Sequence, residues 1–274
     1  MTDARHLRRD YLRSRHSERT QKLSDTGNWI YGRHAVTAAL ANPVRRWRHL
    51  AVLVGHEGEA AALLAGAQAP RRGRGEAVRV LDHRGFAAIL PAGAVHQGLA
   101  LEVEPLAERD FGEVLQQARA APGRCIIIVL DRLSDSQNIG AVLRSAAAFG
   151  ALAVVVPRHG APPVTGALAK AASGALENVP LVRVVNLARA LERLKEVGFW
   201  ICGLDETAAQ PLAELEFGER TALVLGSESG GIRRLVREHC DYVARLPTRP
   251  IQPSLNVSNA AAVALYELVR RFVV

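Results

Sequence analysis

The sequence predicts an α/β protein with two parts, a small N-terminal α/β domain and a larger C-terminal domain built on a parallel sheet. Strand-sized apolar runs such as residues 126–130 alternate with helical segments, which is typical of a parallel sheet covered on both faces. The length of 274 residues allows two domains with a core each. Residues 1–84 hold 16 of the 35 Lys and Arg but only 8 of the 27 Asp and Glu. This uneven charge suggests that the first part binds a polyanion.

The chain begins with residues 1–28, which we interpret as a flexible basic arm because they carry seven Arg or Lys, four acids and no periodic apolar pattern. A solvated tail without function is the alternative. Residues 29–104 are expected to form the small domain. Ala-rich runs predict helices at 35–40 and 57–65, aliphatic and β-branched runs predict strands at 50–54, 78–81 and 99–103, and Asp82 is a suitable N-cap for a short helix through residue 90.

Residues 105–122 are charged and uneven, so we expect a linker that contains a helix at 111–120. The second domain, residues 123–274, repeats a strand and helix rhythm. Its predicted strands are 125–130, 152–156, 199–203, 221–225 and 242–246, and its predicted helices are 140–149, 164–172, 187–197, 232–239 and 255–272. Ligands of parallel sheets bind beyond the carboxyl ends of the strands. The loops after residues 130, 225 and 246 are therefore the candidate site.

Several protein classes are disfavoured. No segment approaches the roughly 18 to 20 apolar residues of a membrane span, and residues 1–20 lack the apolar core of a secretory signal. The three cysteines form no CxxC pair, so we expect a reduced, cytoplasmic protein without a metal site. The chain also lacks the GxGxxG fingerprint of a nucleotide-dependent dehydrogenase.

The loop after residue 130 leads into a predicted helix that carries two polar side chains. Asn138 lies just before the helix, where it is either an N-cap or a site residue. Arg144 follows within the first turns of the predicted helix, where a cation opposes the helix dipole. This electrostatic mismatch favours an anionic partner for Arg144.

The two later loops also contain polar residues in unusual backbone settings. Residues 225–232 form a glycine-rich turn with Glu228 in it, which allows a ligand to approach backbone amides, although such turns also occur for steric reasons alone. The loop after residue 246 contains three prolines, and Ser254 is predicted to cap a helix that carries Asn256 and Ser258 in its first turn.

Taken together, these motifs resemble a known family. NIGAVLRSAAAFG at 138–150, GSESGGI at 226–232 and SLNVSNA at 254–260 are similar, in order and spacing, to the three motifs of the SpoU, or TrmH-type, RNA 2′-O-ribose methyltransferases of the SPOUT superfamily. KAASGALE at 170–177 resembles a further stretch of that family. YGRHAV at 31–36 and HQGLAL at 96–101 resemble the substrate-binding domain of its RlmB-like group, which methylates a guanosine of 23S rRNA.

The resemblance implies S-adenosylmethionine as methyl donor, a trefoil knot in the C-terminal domain and a homodimer. By position, Gly226, Leu246 and Leu255 would contact the cofactor. The residues that would serve catalysis and its positioning are Arg144, Asn138, Glu228, Ser254 and Asn256. The family usually has other residues where Ser136, Thr248, Pro250 and Asn259 stand in this chain.

The expected partner is RNA, as 23S rRNA or the precursor of the large ribosomal subunit. Candidate RNA-binding residues are Arg71, Arg72 and Arg74 on the loop at 70–75, together with Arg33 and His96 of the two N-terminal motifs. His96 and Gln97 either contact a base or hold a turn. Basic residues 45, 46 and 48 around Trp47 are a further possible RNA contact, although a Trp beside a strand is more often part of the core.

Two alternative functions stay open at this point. One is methylation of a tRNA ribose, which the HQG-containing N-terminal domain disfavours. The other is a catalytically silent RNA-binding factor of ribosome assembly, which the presence of Asn138, Arg144, Glu228 and Asn256 disfavours.

Overall fold

The computed structural model describes residues 28–73, 75–227, 230–249, 251 and 254–270. The predicted basic arm, residues 1–28, lies outside this range apart from Asn28. The described residues form two sheets, one of four strands and one of seven. Among the described residues, no helix combines the length and hydropathy that crossing a membrane requires.

The small sheet contains four short strands, which are β1 (Trp29–Tyr31), β2 (Trp47–Leu53), β3 (Val78–Leu81) and β4 (Leu99–Val103). Their order is β1-β4-β2-β3, with β2 and β3 parallel and β4 antiparallel to both of its neighbours. Three helices connect them, α1 (Arg33–Ala41), α2 (Glu57–Ala65) and α3 (His83–Ile89). Asp82 caps α3 by accepting a hydrogen bond from the amide of Gly85 at 2.8 Å, which confirms that prediction.

The large sheet confirms the predicted parallel architecture. Its strands are β5 (Cys125–Leu130), β6 (Ala153–Pro157), β7 (Leu181–Val184), β8 (Trp200–Leu204), β9 (Gln210–Pro211), β10 (Arg220–Leu225) and β11 (Tyr242–Arg245). They lie in the order β7-β6-β5-β10-β8-β11-β9, and every pair is parallel. The helices are α4 (Phe111–Ala120), α5 (Ser136–Ala148), α6 (Gly166–Ala172), α7 (Leu187–Lys195), α8 (Arg234–Glu238) and α9 (Val257–Arg270).

Both faces of the large sheet are covered, which explains the unbroken apolar run of β5. Ile127 and Val129 point to a core shared with α4 and α7. Ile126 and Ile128 point to the opposite core, which is shared with α5 and α9. Because successive strand residues face opposite sides, a strand buried on both sides has to be apolar at every position. Helix α4 lies within the predicted linker, and its apolar face is buried against this sheet.

Helix α5 begins earlier than predicted, at Ser136 instead of residue 140. Asp135 is its N-cap and accepts a hydrogen bond from the amide of Gln137 at 2.9 Å. Asn138 is therefore inside the first turn, and Arg144 lies in the middle of a helix of 13 residues. Arg144 therefore does not oppose the helix dipole, contrary to the prediction, because the dipole acts mainly within the terminal turns.

Candidate active site

A pocket of about 440 Å³ lies at the carboxyl ends of three adjacent strands, β10, β8 and β11, and is closed by the start of α9. It is lined by Leu204, Asp205, Glu206, Thr207, Leu225, Gly226, Ser227, Gly230, Gly231, Leu246, Thr248, Ser254, Leu255, Val257 and Ala260. The pocket is therefore formed in part by two of the three loops that the sequence predicts as the candidate site, those after residues 225 and 246. The loop after residue 130 is absent from this lining.

The glycine-rich turn forms one wall of the pocket, and it is folded tightly on itself. Ser227 and Gly231 exchange backbone hydrogen bonds of 3.1 and 2.8 Å. A methyl group at Gly226 would overlap the backbone of Gly231, so only glycine fits there. Gly231 has φ +59°. Glu228, which the sequence proposes as a site residue, lies outside the described residues.

The loop after residue 130 supports the glycine-rich turn through a contact between Asp131 and Arg233. Asp131 is completely buried at the end of β5. Its carboxylate accepts hydrogen bonds from the amide and from Nε of Arg233, at 2.9 and 2.7 Å. A buried carboxylate needs such compensation, and here it fixes the position at which the turn enters α8.

The first and third motifs meet beside the pocket. Nδ2 of Asn256 donates to Oδ1 of Asn138 at 3.0 Å, which joins residues 118 positions apart in the sequence. Oδ1 of Asn256 accepts from the amide and the hydroxyl of Ser258, at 2.9 and 2.6 Å. Asn256 is therefore the N-cap of α9, and the prediction that Ser254 caps this helix is wrong. Ser254 and Leu255 instead line the pocket.

Arg144 projects from α5 with an exposed side chain and is not part of the pocket lining. It lies six residues beyond Asn138, about 9 Å along the helix axis. Within the described part of the chain its guanidinium forms no hydrogen bond or ion pair. The side chain is thus available to a ligand at the exposed surface of α5.

An acidic wall of the pocket, residues 205–207 after β8, was missed by the sequence reasoning. Burial alone would raise the pKa of Asp205, but hydrogen bonds from Thr207 and the ion pair with Arg237 hold that pKa below its ordinary value. Glu206 is exposed at the same wall. Acidic residues directly after the predicted strand at 199–203 were a usable signal, since parallel strands share their carboxyl edge.

The lining suits a nucleoside cofactor with a positive charge. Leu225, Leu246 and Leu255 provide apolar surface for a purine ring. The backbone of the glycine-rich turn can be approached closely, and the carboxylate of Glu206 can accept from hydroxyls or face a cationic group. S-adenosylmethionine has a purine ring, ribose hydroxyls and a positively charged sulfonium, so the residues present fit it.

The arginine loop of the small domain is only partly available for RNA. The guanidinium of Arg71 donates to the carbonyls of Arg48, Gly75 and Glu76, at 3.1, 2.8 and 3.0 Å, and lies 5.8 Å from the ring of Trp47. The Nε and Nη2 groups of Arg71 therefore stabilise the loop at 70–75 and are not available to RNA. Trp47 itself is 4% exposed and belongs to the core.

The remaining candidates on this domain differ in their exposure. Arg72 is exposed, and Arg74 lies outside the described residues. Arg33 is 57% exposed and forms an ion pair of 2.8 Å with Glu59. His96 stacks on Phe86 with ring centroids 4.1 Å apart.

His96 holds the turn of the HQG segment. Its Nδ1 accepts a hydrogen bond of 3.1 Å from the amide of Gly98. Burial, followed by the nearby His83, lowers the pKa of His96. The lowered pKa favours the neutral ring at pH 7, which can accept this hydrogen bond. Of the two interpretations of His96 from the sequence, contact with a base or holding a turn, the structure supports the second.

Known proteins resemble this chain over both domains. The SpoU rRNA methylase family model matches residues 125–266, and the model for RNA 2′-O ribose methyltransferase substrate binding matches residues 29–109. The 23S rRNA (guanosine-2′-O-)-methyltransferase RlmB of Pseudomonas syringae pv. tomato is 39% identical over 246 residues, which cover 88% of this chain and 95% of that protein. An uncharacterized tRNA/rRNA methyltransferase of Synechocystis is 36% identical over 260 residues, which cover 93% of this chain and 65% of that protein.

Solved structures agree on the fold. The SpoU methyltransferase AviRb from Streptomyces viridochromogenes, crystallised with the cofactor AdoMet, has a TM-score of 0.72 to this chain at 23% identity. The match covers 92% of this chain and 93% of AviRb. With two family models and relatives of this similarity along nearly its whole length, the chain belongs to the SpoU rRNA methylase family.

Proposed function

We propose that this protein transfers the methyl group of S-adenosylmethionine to the 2′-hydroxyl of a guanosine ribose in the RNA of the large ribosomal subunit. The observation that carries the proposal is the meeting of Asn138, Gly226, Leu246 and Asn256 in or beside one pocket, although they are distant in sequence. The match to RlmB, which covers 95% of that relative, supports rRNA as the substrate.

When bound, S-adenosylmethionine supplies an electrophilic methyl group on a sulfonium. Gly226, Leu246 and Leu255 would hold it through backbone groups and apolar packing, with Glu206 at the acidic wall. Orientation is the main contribution that such a pocket makes, since alignment of two reactants is worth up to about 7 to 11 kcal/mol.

Arg144 serves as a clamp on the RNA in this proposal. A guanidinium has five donors and no acceptor, so it does not take up the proton of the hydroxyl. It donates two parallel hydrogen bonds to the phosphate beside the target ribose, and its charge stabilises the oxygen as negative charge develops. The 2′-oxygen would take the methyl group as the methyl–sulfur bond of the sulfonium breaks, which would leave a neutral thioether, and it would release its proton to a phosphate or to water. Asn138 and Asn256 position the ribose, with Ser254 and Glu228 as further positioning groups.

We also propose the division of labour and the assembly that the family suggests. Residues 29–104 bind RNA, residues 105–122 connect the two domains, and residues 123–274 carry out methyl transfer. The protein acts in the cytoplasm. The trefoil knot of the C-terminal domain stays a prediction. Two molecules form a dimer through the side of α9 where Val263 and Tyr266 are 47% and 56% exposed. Sedimentation equilibrium of the full chain tests this, and a monomer at micromolar concentration would contradict it.

The substrate is tested by mapping ribose methylation with mass spectrometry on total RNA from a strain that lacks the protein. We expect loss of one guanosine mark in the large-subunit rRNA and its return on complementation. Loss of a tRNA mark would replace the proposed substrate. An unchanged set of marks, together with cofactor binding in calorimetry, would identify a silent binder.

A further inference from the structure

The segment at 170–177, KAASGALE, takes no part in the pocket lining. It comprises the end of α6 and a 3₁₀ turn at Ala175–Glu177. Both lie against the small domain, and a single apolar cluster contains Ile30 and Val36 of that domain together with Leu168 of α6. The segment is therefore the place where the two domains join.

A buried ion pair crosses this junction. Arg45 of the small domain and Glu177 of the large domain are 4% and 5% exposed. Nε of Arg45 donates to both oxygens of Glu177 at 3.1 Å, and its Nη2 donates to Oε1 of the same carboxylate. Nδ2 of Asn42 donates to Glu177 at 2.7 Å, and Nη1 of Arg45 donates to the carbonyl of Glu104 at 3.0 Å. Each charge is thus compensated by directional bonds.

Close backbone contacts accompany the ion pair. A methyl group at Gly166 would overlap the carbonyl oxygen of Trp29, and one at Gly174 would lie 2.6 Å from the side chain of Ala38. On the exposed side of the junction, Nζ of Lys170 donates to Oε1 of Gln97, which also accepts from the amide of Arg33 at 3.2 Å. These contacts leave little room for one domain to move on the other.

The junction is also connected to the active site. Helix α6 crosses α5 so closely that a methyl group at Gly140 would overlap Ala171. Gly140 lies two residues after Asn138, and Ala171 follows Lys170 directly. A displacement of the small domain would therefore reach the helix that carries Asn138 and Arg144.

We propose that residues 170–177 lock both domains into one rigid body, with Glu177 as a positioning residue that fixes where RNA held by the small domain presents its ribose to the pocket. Replacement of buried ion pairs by apolar residues often leaves proteins as stable or more stable. We therefore assign to the hydrogen bonds of Glu177 the role of fixing the relative position of the two domains, and not that of raising stability. The inference rests on the proposed function, but its structural part can be tested without activity.

The structural arm uses Glu177→Gln in a Trp200→Phe background. The remaining tryptophans, Trp29 and Trp47, then both belong to the small domain, so their fluorescence reports its unfolding while circular dichroism reports the whole chain. In the parent protein the two thermal transitions should coincide. In the Gln variant the fluorescence transition should come first, because one buried charge has lost its partner.

The activity arm measures single-turnover methyl transfer to rRNA at a temperature at which the variant is folded. We expect Glu177→Gln to lower the rate by about tenfold to a hundredfold, as misplacement of a reacting group does, with dissociation constants for RNA and S-adenosylmethionine within twofold of the parent. Glu113→Gln is the matched control, because it breaks an exposed ion pair of α4 with Arg109, and it should change neither readout.

The double variant Arg45→Met, Glu177→Met separates positioning from stability. It leaves no buried charge unpaired, so the coincident transitions should return while methyl transfer stays low. Recovery of methyl transfer in this variant, or coincident transitions and an unchanged rate in Glu177→Gln, would overturn the proposal. A parent protein that methylates no RNA would refute the proposed function, while the unfolding arm would still decide on the lock.

Discussion

At the residue scale, the glycine-rich turn depends on the absence of one methyl group. Gly226→Ala would force the turn away from Gly231, so we expect loss of S-adenosylmethionine binding in calorimetry, with the large domain still folded. Gly230→Ala is the matched control in the same turn, because its nearest neighbour, Oγ of Ser227, would be 3.4 Å away. If the two variants bound S-adenosylmethionine with equal affinity, Gly226 would not be part of the cofactor site.

Arg144 allows a second test at this scale. Arg144→Lys keeps the charge but loses the planar fork that binds two phosphate oxygens. We expect cofactor binding to be unchanged and single-turnover methylation to fall by about a hundredfold, comparable to loss of one preorganised donor at a transition state. Arg158→Lys, at an exposed arginine paired with Glu108, should retain full activity. A rate within a few-fold of the parent for Arg144→Lys would refute the clamp.

At the element scale, α9 depends on Asn256 for its cap. Asn256→Ala removes the acceptor of the Ser258 amide and the bond to Asn138. We expect a loss of about 1 kcal/mol in the free energy of unfolding and a larger loss of turnover. Ser258→Ala keeps the cap acceptor and serves as the comparison in urea denaturation. An unchanged free energy of unfolding for Asn256→Ala would show that the cap contributes nothing.

The HQG turn should make the small domain sensitive to acid. The pKa of His96 lies below its ordinary value of 6.5 in the folded protein. Well above pH 6.5 the ring is neutral in both the folded and the unfolded state, and its contribution to stability is complete. As the pH falls below 6.5 the unfolded chain takes up the proton first, so stability decreases until the folded pKa is passed.

This acid sensitivity is measured as the free energy of unfolding of the whole protein against pH, because the two domains are expected to unfold together. His96→Asn does not titrate, and its side-chain oxygen can accept from the same amide in an Asx turn. The difference between the two curves isolates His96 from the other histidines. Parallel curves between pH 7 and pH 5 would contradict the prediction.

Helices and strands were predictable where one signal dominated. Strand β5 matches its prediction to the residue, because a doubly buried strand has to be apolar throughout. The start of α5 was placed four residues late, because polar residues 136–138 hide the first turn and Asp135 was not recognised as its cap. Strand β9, with two residues, carries no sequence pattern at all.

The site was predictable where motifs carried it and obscure where tertiary contacts did. Asn138 and Asn256 were recognised, but not that their side chains bond to each other. Arg71 was chosen for RNA because it lies on a basic loop, yet the carbonyls that occupy its donors leave no trace in the sequence. Arg45 likewise became a buried partner of Glu177 because a carboxylate 132 residues away reaches it.

At the scale of the whole molecule, the excess of positive charge should set affinity and contribute little to chemistry. Deletion of residues 1–28 removes seven Lys and Arg. We expect weaker RNA binding and a shallower slope of log affinity against log salt, by about 0.7 to 0.9 for each phosphate that the shortened chain no longer neutralises. Filter binding between about 50 and 300 mM salt measures the slope. A slope equal to that of the full chain would show that these residues bind no phosphate.

The hydrogen bond between Asn138 and Asn256 has a consequence for the order of events during synthesis. One partner belongs to the start of α5, and the other caps the last helix described, more than a hundred residues later. A nascent chain that has already folded its small domain and most of its large sheet still lacks one half of this contact. We therefore expect methylation by this protein only after residue 256 has left the ribosome and α9 has formed, even though the elements before it can fold earlier.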